Sequence, residues 1–502
     1  MLTKEQLIQA SDNLIKLYEK IEDDLLINVT RRFDIKKDIK DIEKWQTEKL
    51  SQLGALKNEN IKTIAKSLNI TAKEIEKALT ETGYKTLGTD EAIYERALEL
   101  GILSEAPIPI EASPMLKQIL KGAISNTRTF MNMINTTALQ SANEAFLNII
   151  NQTYLETSLG IYDYNASMRK AVRQLADEGI KGASYISAKG KKTYAQMDVA
   201  VRRCIVTSCS QTAGNMQLQR AKDWGCNHVE VSSHVGARPS HAVWQGKIYM
   251  LEGSSPEYPN FYVTTQYGTV TGLKGANCSH DFYPFFEGIS NRTYYPVDEK
   301  ENKRIYEESQ EQRRLEREIR KEKRKILTAR EVGDNEFLKE SQLRLKAKEK
   351  ELNKFIADTT RTKRTNRQQV MDFGNSESMK AVWTNKKEIA KYSQYHYNKD
   401  GTIKATDDLT NNEHPYLPDK YKSYAVIDTV SGKNKQRNRM IYDEEGKQKT
   451  HINSGPHNSP KHHPYGNQGE HAHDIIWENN KIAKRTTREL TEKERKEHKD
   501  IL

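Results

Sequence analysis

The side chains capable of chemistry gather in two stretches. The first runs from Cys226 to Gly288. It reads C-N-H-V-E-V-S-S-H-V-G-A-R-P-S-H-A-V-W-Q-G-K-I-Y and, after a turn-rich segment, G-A-N-C-S-H-D-F-Y-P-F-F-E-G. Two pairs share a Cys-x-His spacing, Cys226 with His228 and Cys278 with His280. Thiolate and imidazole are the ligands of structural zinc, and four such groups complete a tetrahedral site. In a strand, residues i and i+2 face the same way, so the short spacing is compatible with a shared ion. Cys226, His228, Cys278 and His280 are therefore a candidate site for zinc or another divalent metal. The alternative is a set of buried, hydrogen-bonded side chains. In Arg238-Pro239-Ser240-His241, proline fixes a turn and Arg238 can grip a carboxylate or phosphate through two N–H groups. Ser240 and His241 suggest a nucleophile and its base, but adjacent side chains seldom point at each other, and no third group orients them.

The second stretch is His-rich. It contains S-G-P-H-N-S-P-K-H-H-P-Y-G at 454–466 and G-E-H-A-H-D-I-I-W at 469–477. His471 and His473 fall on one face of a strand entering Ile475-Ile476-Trp477. Together with His457 or His463, and with Glu470 and Asp474 nearby, they can bind a divalent metal or act as an acid/base pair on a phosphodiester. A binding or folding domain with polar surface histidines is the other reading.

The elements that must position these groups are mostly charged helices. The chain has 502 residues, 30% of them charged and 36% hydrophobic, with a formal net charge of +11. That is too polar for one large globule, and the basic excess suits a polyanion such as DNA or a plain solvated surface. No apolar run reaches the roughly 20 residues of a membrane span. The N-terminus lacks the features of a signal peptide, and four Cys make no disulfide framework, so a reducing cytoplasm is expected.

Thr3-x-x-Gln6 opens an amphipathic helix over 4–32, and a second covers about 35–57. Three short helices are expected at 61–68, 71–83 and 89–101. The turn between the first two could be taken for a DNA-reading helix-turn-helix, but helical packing explains it as well. Ala106-Pro107-Ile108-Pro109 is a stiff linker. Long helices follow, from Pro114 to about Ser158, up to Gly179, and over 198–225, where Cys204 and Cys209 read as core. Residues 301–330 are nearly all Glu, Lys, Arg and Gln, with a thin seam of Leu315, Ile319 and Ile326. Leu338, Leu345 and Leu352 repeat every seven residues, which predicts a helical hairpin or coiled-coil arm. Thr359–Asn366 is a polar linker. Strands are expected at 424–430 and 439–442, and Thr491-x-x-Glu494 caps a last helix.

The run S-S-H-V-G-A-R-P-S-H-A-V-W-Q-G-K-I-Y at 232–249, with N-C-S-H-D-F-Y-P-F-F-E-G at 277–288, resembles the phage minor capsid protein 2 family. It is more distantly similar to the Mu F-like head morphogenesis proteins. The matching positions are Arg238, Pro239, Ser240, His241, Gln245, Gly246, Asn277, Cys278 and His280. Ser279 stands where the related Asn-Cys-Arg element has Arg. The resemblance covers roughly residues 1–298. It implies a structural protein, present in few copies near the portal vertex, that contacts portal and capsid proteins, assists head assembly and the passage of packaged DNA, and resides in the virion after assembly in the host cytoplasm. The tail is similar to small terminal domains of phage head proteins and toxin-like secreted proteins, which leaves a nuclease or toxin as the alternative activity. The expected fold is a predominantly helical α+β protein. Its parts are a helical region at 1–105, a minor-capsid core at 106–298, a charged hairpin and linker at 299–366, and a His-rich α+β domain at 367–502.

Overall fold

The structure, a computed structural model, describes residues 4–35, 39, 41–186, 190, 192–412, 415–431, 435–456 and 464–502. The helices, in order, are α1 (Lys4–Thr30), α2 (Ile42–Ser51), α3 (Leu53–Glu99), α4 (Pro114–Ser158), α5 (Tyr164–Glu178), α6 (Met197–Asp223), α7 (Pro239–Ala242), α8 (Phe261–Thr265), α9 (Glu299–Val332), α10 (Asn335–Ala357), α11 (Asn375–Lys391) and α12 (Glu492–Glu497). The strands are β1 (Lys181–Ile186), β2 (Lys192–Gln196), β3 (His228–Val231), β4 (Ile248–Met250), β5 (Phe282–Pro284), β6 (Asp407–Asp408), β7 (Val426–Val430), β8 (Arg437–Tyr442), β9 (Gln448–Asn453), β10 (His471–Glu478) and β11 (Lys481–Arg488). The class is predominantly helical α+β, as the sequence indicates. The chain divides into two compact units, Met1–Ser378 and Met379–Leu502.

In the first unit, α1, α3, α4, α5 and α6 surround one apolar core. Leu14, Tyr18, Leu25 and Val29 of α1 meet Leu56, Ile75 and Leu79 of α3, Phe146 and Ile150 of α4, and Val201 and Ile205 of α6. The segments bounded at 105 and 298 pack together here as one body. The three short helices expected between 61 and 101 are a single helix, α3. The apparent cap at Thr71 is buried inside it. Thr82 and Thr86 turn their hydroxyls back to the carbonyls of Ala78 and Thr82, so they satisfy themselves without ending the helix. Gly83 lets α6 approach closely, because a Cβ there would lie 2.5 Å from Met216 Sδ. Ser113 caps α4 with Pro114 in its first turn, and α5 ends at Gly179 with φ 67°. The β1–β2 hairpin is not evident in the sequence reading, because its alternation is short and interrupted by Gly and Lys.

The charged hairpin α9–α10 forms, yet its first helix is embedded in the core. Leu315, Ile319 and Ile326 are buried, and so is Arg324, at 3% side-chain exposure. Its guanidinium lies 3.0 Å from Glu22, 3.5 Å from Asp23 and 3.9 Å from Asp198. Arg320 adds a contact to Asp198 at 3.4 Å, and Arg202 pairs with Glu19 at 2.9 Å. The heptad leucines Leu345 and Leu352 are buried as well.

The second unit is built on a sheet of order β11-β10-β9-β8-β7-β6, antiparallel except for the β6–β7 pair. Its centre holds a buried guanidinium, Arg439, between Asp428 at 2.6 Å and Asp500 at 2.8 Å. One face packs Ile427, Met440, Tyr442 and Ile475 under Tyr392, and the other packs Ile441, Ile452 and Ala472 under Leu490 and Ile501. The capping box of Thr491 and Glu494 opens α12 as expected.

The Arg324 cluster carries a pH signature. Burial lifts Glu22 to about 8 and Asp23 to about 7, in both cases against the pull of Arg324. Burial acts the same way on Asp198, but Arg320, Arg324 and Arg202 outweigh it and hold that carboxyl below its usual range. The folded chain thus keeps protons on Glu22 and Asp23 that the unfolded chain has released by neutral pH. Their stabilising contribution is full below the unfolded carboxyl range and is lost as pH rises through about 7 and about 8. Thermal melts should therefore show a midpoint that falls as pH rises from about 5 to about 8 and levels off above that, with a shallower fall in Glu22→Gln. An identical slope in that variant contradicts the assignment.

Candidate functional site

The residues of the Arg-x-x-His element come together in a small module of β4-β3-β5 with α7 and α8. Arg238 is the N-cap of the one-turn helix α7 and is extended at φ −62°, ψ 153°, while Pro239 takes the first helical position. The turn continues through the Gln245 N–H to the His241 carbonyl at 3.1 Å and returns to β3 through the Gly246 N–H, which donates to Val231 O at 3.1 Å. Gly246 has φ 67°, and a Cβ there would stand 2.4 Å from the Tyr295 carbonyl carbon. The motif therefore requires glycine at this position. The Arg238 guanidinium donates to the Ala276 carbonyl, which ties the first half of the motif to the Asn277-Cys278-Ser279-His280 turn. Asn277 itself sits at φ 59°. Asn302 of α9 holds the turn from outside, exchanging two hydrogen bonds with the Ala237 backbone at 2.9 and 3.0 Å.

Inside the module, His241 and His280 are buried and their Nδ1 atoms are 3.3 Å apart. Cys278 Sγ is 3.7 Å from His280 Nδ1. His241 Nε2 lies 2.8 Å from Thr271 O, and His280 Nε2 lies 2.9 Å from Gln245 Oε1. Burial pushes His241 down to about 4, with Arg238 adding to the effect, and pushes His280 down to about 2, with His234 and His241 adding. Both rings are therefore neutral near pH 7. Burial also raises the Cys278 thiol.

The four-residue set Cys226, His228, Cys278 and His280 does not assemble. Among the described residues, the group with metal-ligand spacing is His241, Cys278 and His280, whose ligand atoms all lie within 4.8 Å of one another. Cys226 instead approaches the His228 carbonyl at 3.3 Å, and the His228 ring packs on Tyr258. Of the two Cys-x-His pairs, Cys278 and His280 come into such a group, and its third member lies 37 residues upstream of Cys278, beyond the reach of a spacing rule. Ser240 is exposed while His241 is buried, so these two do not form a nucleophile and base.

In the second unit, His471 and His473 do share a face of β10, with Nε2 atoms 3.0 Å apart. His471 Nδ1 lies 2.8 Å from Gly469 O, and Thr487 Oγ1 lies 2.9 Å from His473 Nδ1. His451 stands opposite His473 on β9. Glu470 is held by Arg495 at 2.7 Å and by the Asn467 and Gln468 N–H groups; burial opposes its ionisation, but these donors keep it down at about 2. Asp474 accepts two bonds from Arg488, at 2.6 and 3.0 Å. Each described member of the expected acid/base set thus has a structural partner. His457 and His463 lie outside the described residues.

The family model for phage minor capsid protein 2 matches residues 2–357. The chain belongs to this family. The matched region takes in α9 and α10, so the charged hairpin is part of the minor capsid fold and the unit Met379–Leu502 lies beyond it. Among relatives, the chain is similar to a structural protein of Lactococcus phage LL-H, with 26% identity over 305 residues covering 58% of this chain and 78% of that one. It is also similar to a structural protein of Lactococcus phage mv4, with 32% identity over 104 residues covering 21% of this chain and 84% of that one. No solved structure matches. The chain is a phage minor capsid protein, a structural component of the virion.

A feature of this minor capsid fold that the sequence reading missed is a cavity of 270 Å³ where α6, α9 and the segment 361–367 meet. Arg202, Arg203, Arg313, Arg317, Arg320, Arg364 and Arg367 line it, against two carboxylates, Asp198 and Glu316. Both carboxylates are engaged, Glu316 by two bonds from Arg364 at 2.9 and 2.7 Å and Asp198 by Arg320. Arg313 is lowered by burial and by Arg364. Arg367 is pushed down to about 9, by burial first and then by Arg202 and Arg364. Burial disfavours the charged form of both, the neighbouring guanidiniums add to it, and Glu316 offsets only part. The linear signal was the i, i+3 spacing of Arg361, Arg364 and Arg367, in and just past the polar linker 359–366.

The motif turn yields a paired prediction. Gly246→Ala should lose at least about 2 kcal/mol in urea unfolding, from the left-handed backbone and the Tyr295 clash together. Gly225→Ala, at φ 68° with nothing within 4 Å of its Cβ, should lose only about 1 kcal/mol. Equal losses contradict the close approach.

Proposed function

We propose that this minor capsid protein sits in few copies near the portal vertex, contacts portal and capsid proteins, and assists head assembly and the passage of DNA, having been made in the host cytoplasm. The observation that carries the DNA part of the reading is the arginine-lined cleft. Its carboxylates are already paired, and Arg313 and Arg367 make no ion pair among the described residues. Phosphate oxygens are the partners that planar, always-charged guanidinium groups match best. Desolvated positive charge in a concave site attracts a polyanion more strongly than the same charge on an open surface. The remaining basic surface adds a non-specific, salt-dependent attraction. Long helices that bury a charged face give a rigid wall, which suits a vertex component better than an enzyme with a moving lid.

Two experiments test this. Cryo-EM of purified virions, reconstructed without imposed icosahedral symmetry, should place the chain at the portal vertex; even occupancy around the shell, or absence from DNA-filled heads, contradicts it. Anisotropy titrations with a DNA oligonucleotide should show that Arg313→Gln with Arg367→Gln makes the slope of log K against log salt shallower by roughly one unit per arginine. The double variant should melt no lower than the parent, because it removes like-charge repulsion and breaks no ion pair. An unchanged slope removes the cleft from DNA contact.

A further inference from the structure

We propose that His241, Cys278 and His280 form a metal site, and that the ion it takes is zinc. The argument starts from the proton inventory of the two rings. The Thr271 carbonyl can only accept, so His241 Nε2, 2.8 Å away, carries the proton. Gln245 Oε1 is fixed as the acceptor end of its amide by the His234 backbone N–H at 3.1 Å, so His280 Nε2, 2.9 Å from it, also carries the proton. Each neutral ring then has only a lone pair left at Nδ1. Those two lone pairs face each other at 3.3 Å, with the Cys278 sulfur 3.7 Å from one of them.

A thiol proton can serve one of these nitrogens and leaves the other facing a lone pair. A proton shared between the rings would create a buried imidazolium in the cavity that the Arg238 guanidinium also lines. A metal ion meets the same Arg238, but with three coordinate bonds and a thiolate charge in its favour.

The distances suit an ion. Tetrahedral zinc with Zn–N near 2.0 Å and Zn–S near 2.3 Å places two ligating nitrogens about 3.3 Å apart and a nitrogen and sulfur about 3.6 Å apart. The observed separations are 3.3 Å and 3.7 Å. Two imidazoles and a thiolate are a borderline-soft set that suits zinc and excludes magnesium and calcium. The outward N–H groups are already pinned, one by a backbone carbonyl and one by a side-chain amide, as second-shell partners of metal-bound histidines are. The fourth position has room, because His241 and His280 line a 330 Å³ cavity together with Arg238 and Arg313. Water or an anionic group can occupy it. The site does not depend on the portal or DNA reading.

The test uses the full chain. Elemental analysis of protein purified without chelator should find about one zinc per molecule, and cobalt-loaded protein should show a sulfur-to-cobalt charge-transfer band. Cys278→Ala should abolish that band, and His241→Ala and His280→Ala should each lower bound metal. Cys226→Ala and His228→Ala should leave both readouts unchanged. Gln245→Leu should weaken zinc about 10–100-fold while keeping the charge-transfer band, because it removes a positioning partner and no ligand. The proposal is overturned if the unmutated chain, loaded with zinc or cobalt under reducing conditions and desalted, retains no metal. It is also overturned if Cys278→Ala binds cobalt with the same spectrum. The first of these readings needs no variant, so it stands even if a variant fails to fold.

Discussion

One buried guanidinium holds the larger unit together. Arg324, midway along a helix whose composition suggests a free charged arm, is surrounded by Glu22 and Asp23 of α1 and Asp198 at the start of α6. Removing the guanidinium and the ionised Asp198 from water costs several kcal/mol per ion, and only close geometry offsets that. Such a cluster contributes less to net stability than to specificity. It favours one register of α9 against α1 and α6, because only a planar guanidinium at position 324 reaches Glu22, Asp23 and Asp198 together, and the lysines on either side of it cannot reproduce that fork.

The rest of the first unit follows from that register. With α9 fixed at Arg324, its earlier turns bring Arg313, Arg317 and Arg320 to the same cleft as Arg202 and Arg203 of α6. Nearer its N-terminus the same helix reaches the Ala237 backbone through Asn302. The Arg238–His241 turn and the arginine cleft are thus positioned by one element. Their two cavities share Asn277, Ser279, Gln310 and Arg313 as lining. The embedded hairpin also agrees with the family match, which runs through residue 357.

Local signals in the sequence carry far, and the limits fall where the physics becomes non-local. Helix ends with capping chemistry are legible, as at Ser113-Pro114, Gly179 and Thr491-x-x-Glu494. The thin seam of Leu315, Ile319 and Ile326 is legible as a helix face, but its burial is not, since α9 packs on α1 and α5 as well as on its hairpin partner α10. Thr71 and Gly83 mislead because a threonine can sit buried mid-helix without capping anything and a glycine can serve helix packing. Cys278 and His280 stand out by spacing, whereas His241 joins them only through the fold. The arginines of the cleft come from three separate segments, and an ion-paired arginine such as Arg364 looks the same in sequence as Arg367, which makes no ion pair among the described residues.

Native-state hydrogen exchange along the helices tests most directly whether α9 is an integral wall of the capsid fold. If the Arg324 cluster locks the register, amides around 319–328 exchange at the same opening free energy as those of α1 near Glu22 and α6 near Asp198, and all three respond together to denaturant. If α9 instead exchanges through a separate, lower-energy opening while α1 and α6 stay protected, the helix is a docked arm and the cleft has no fixed shape.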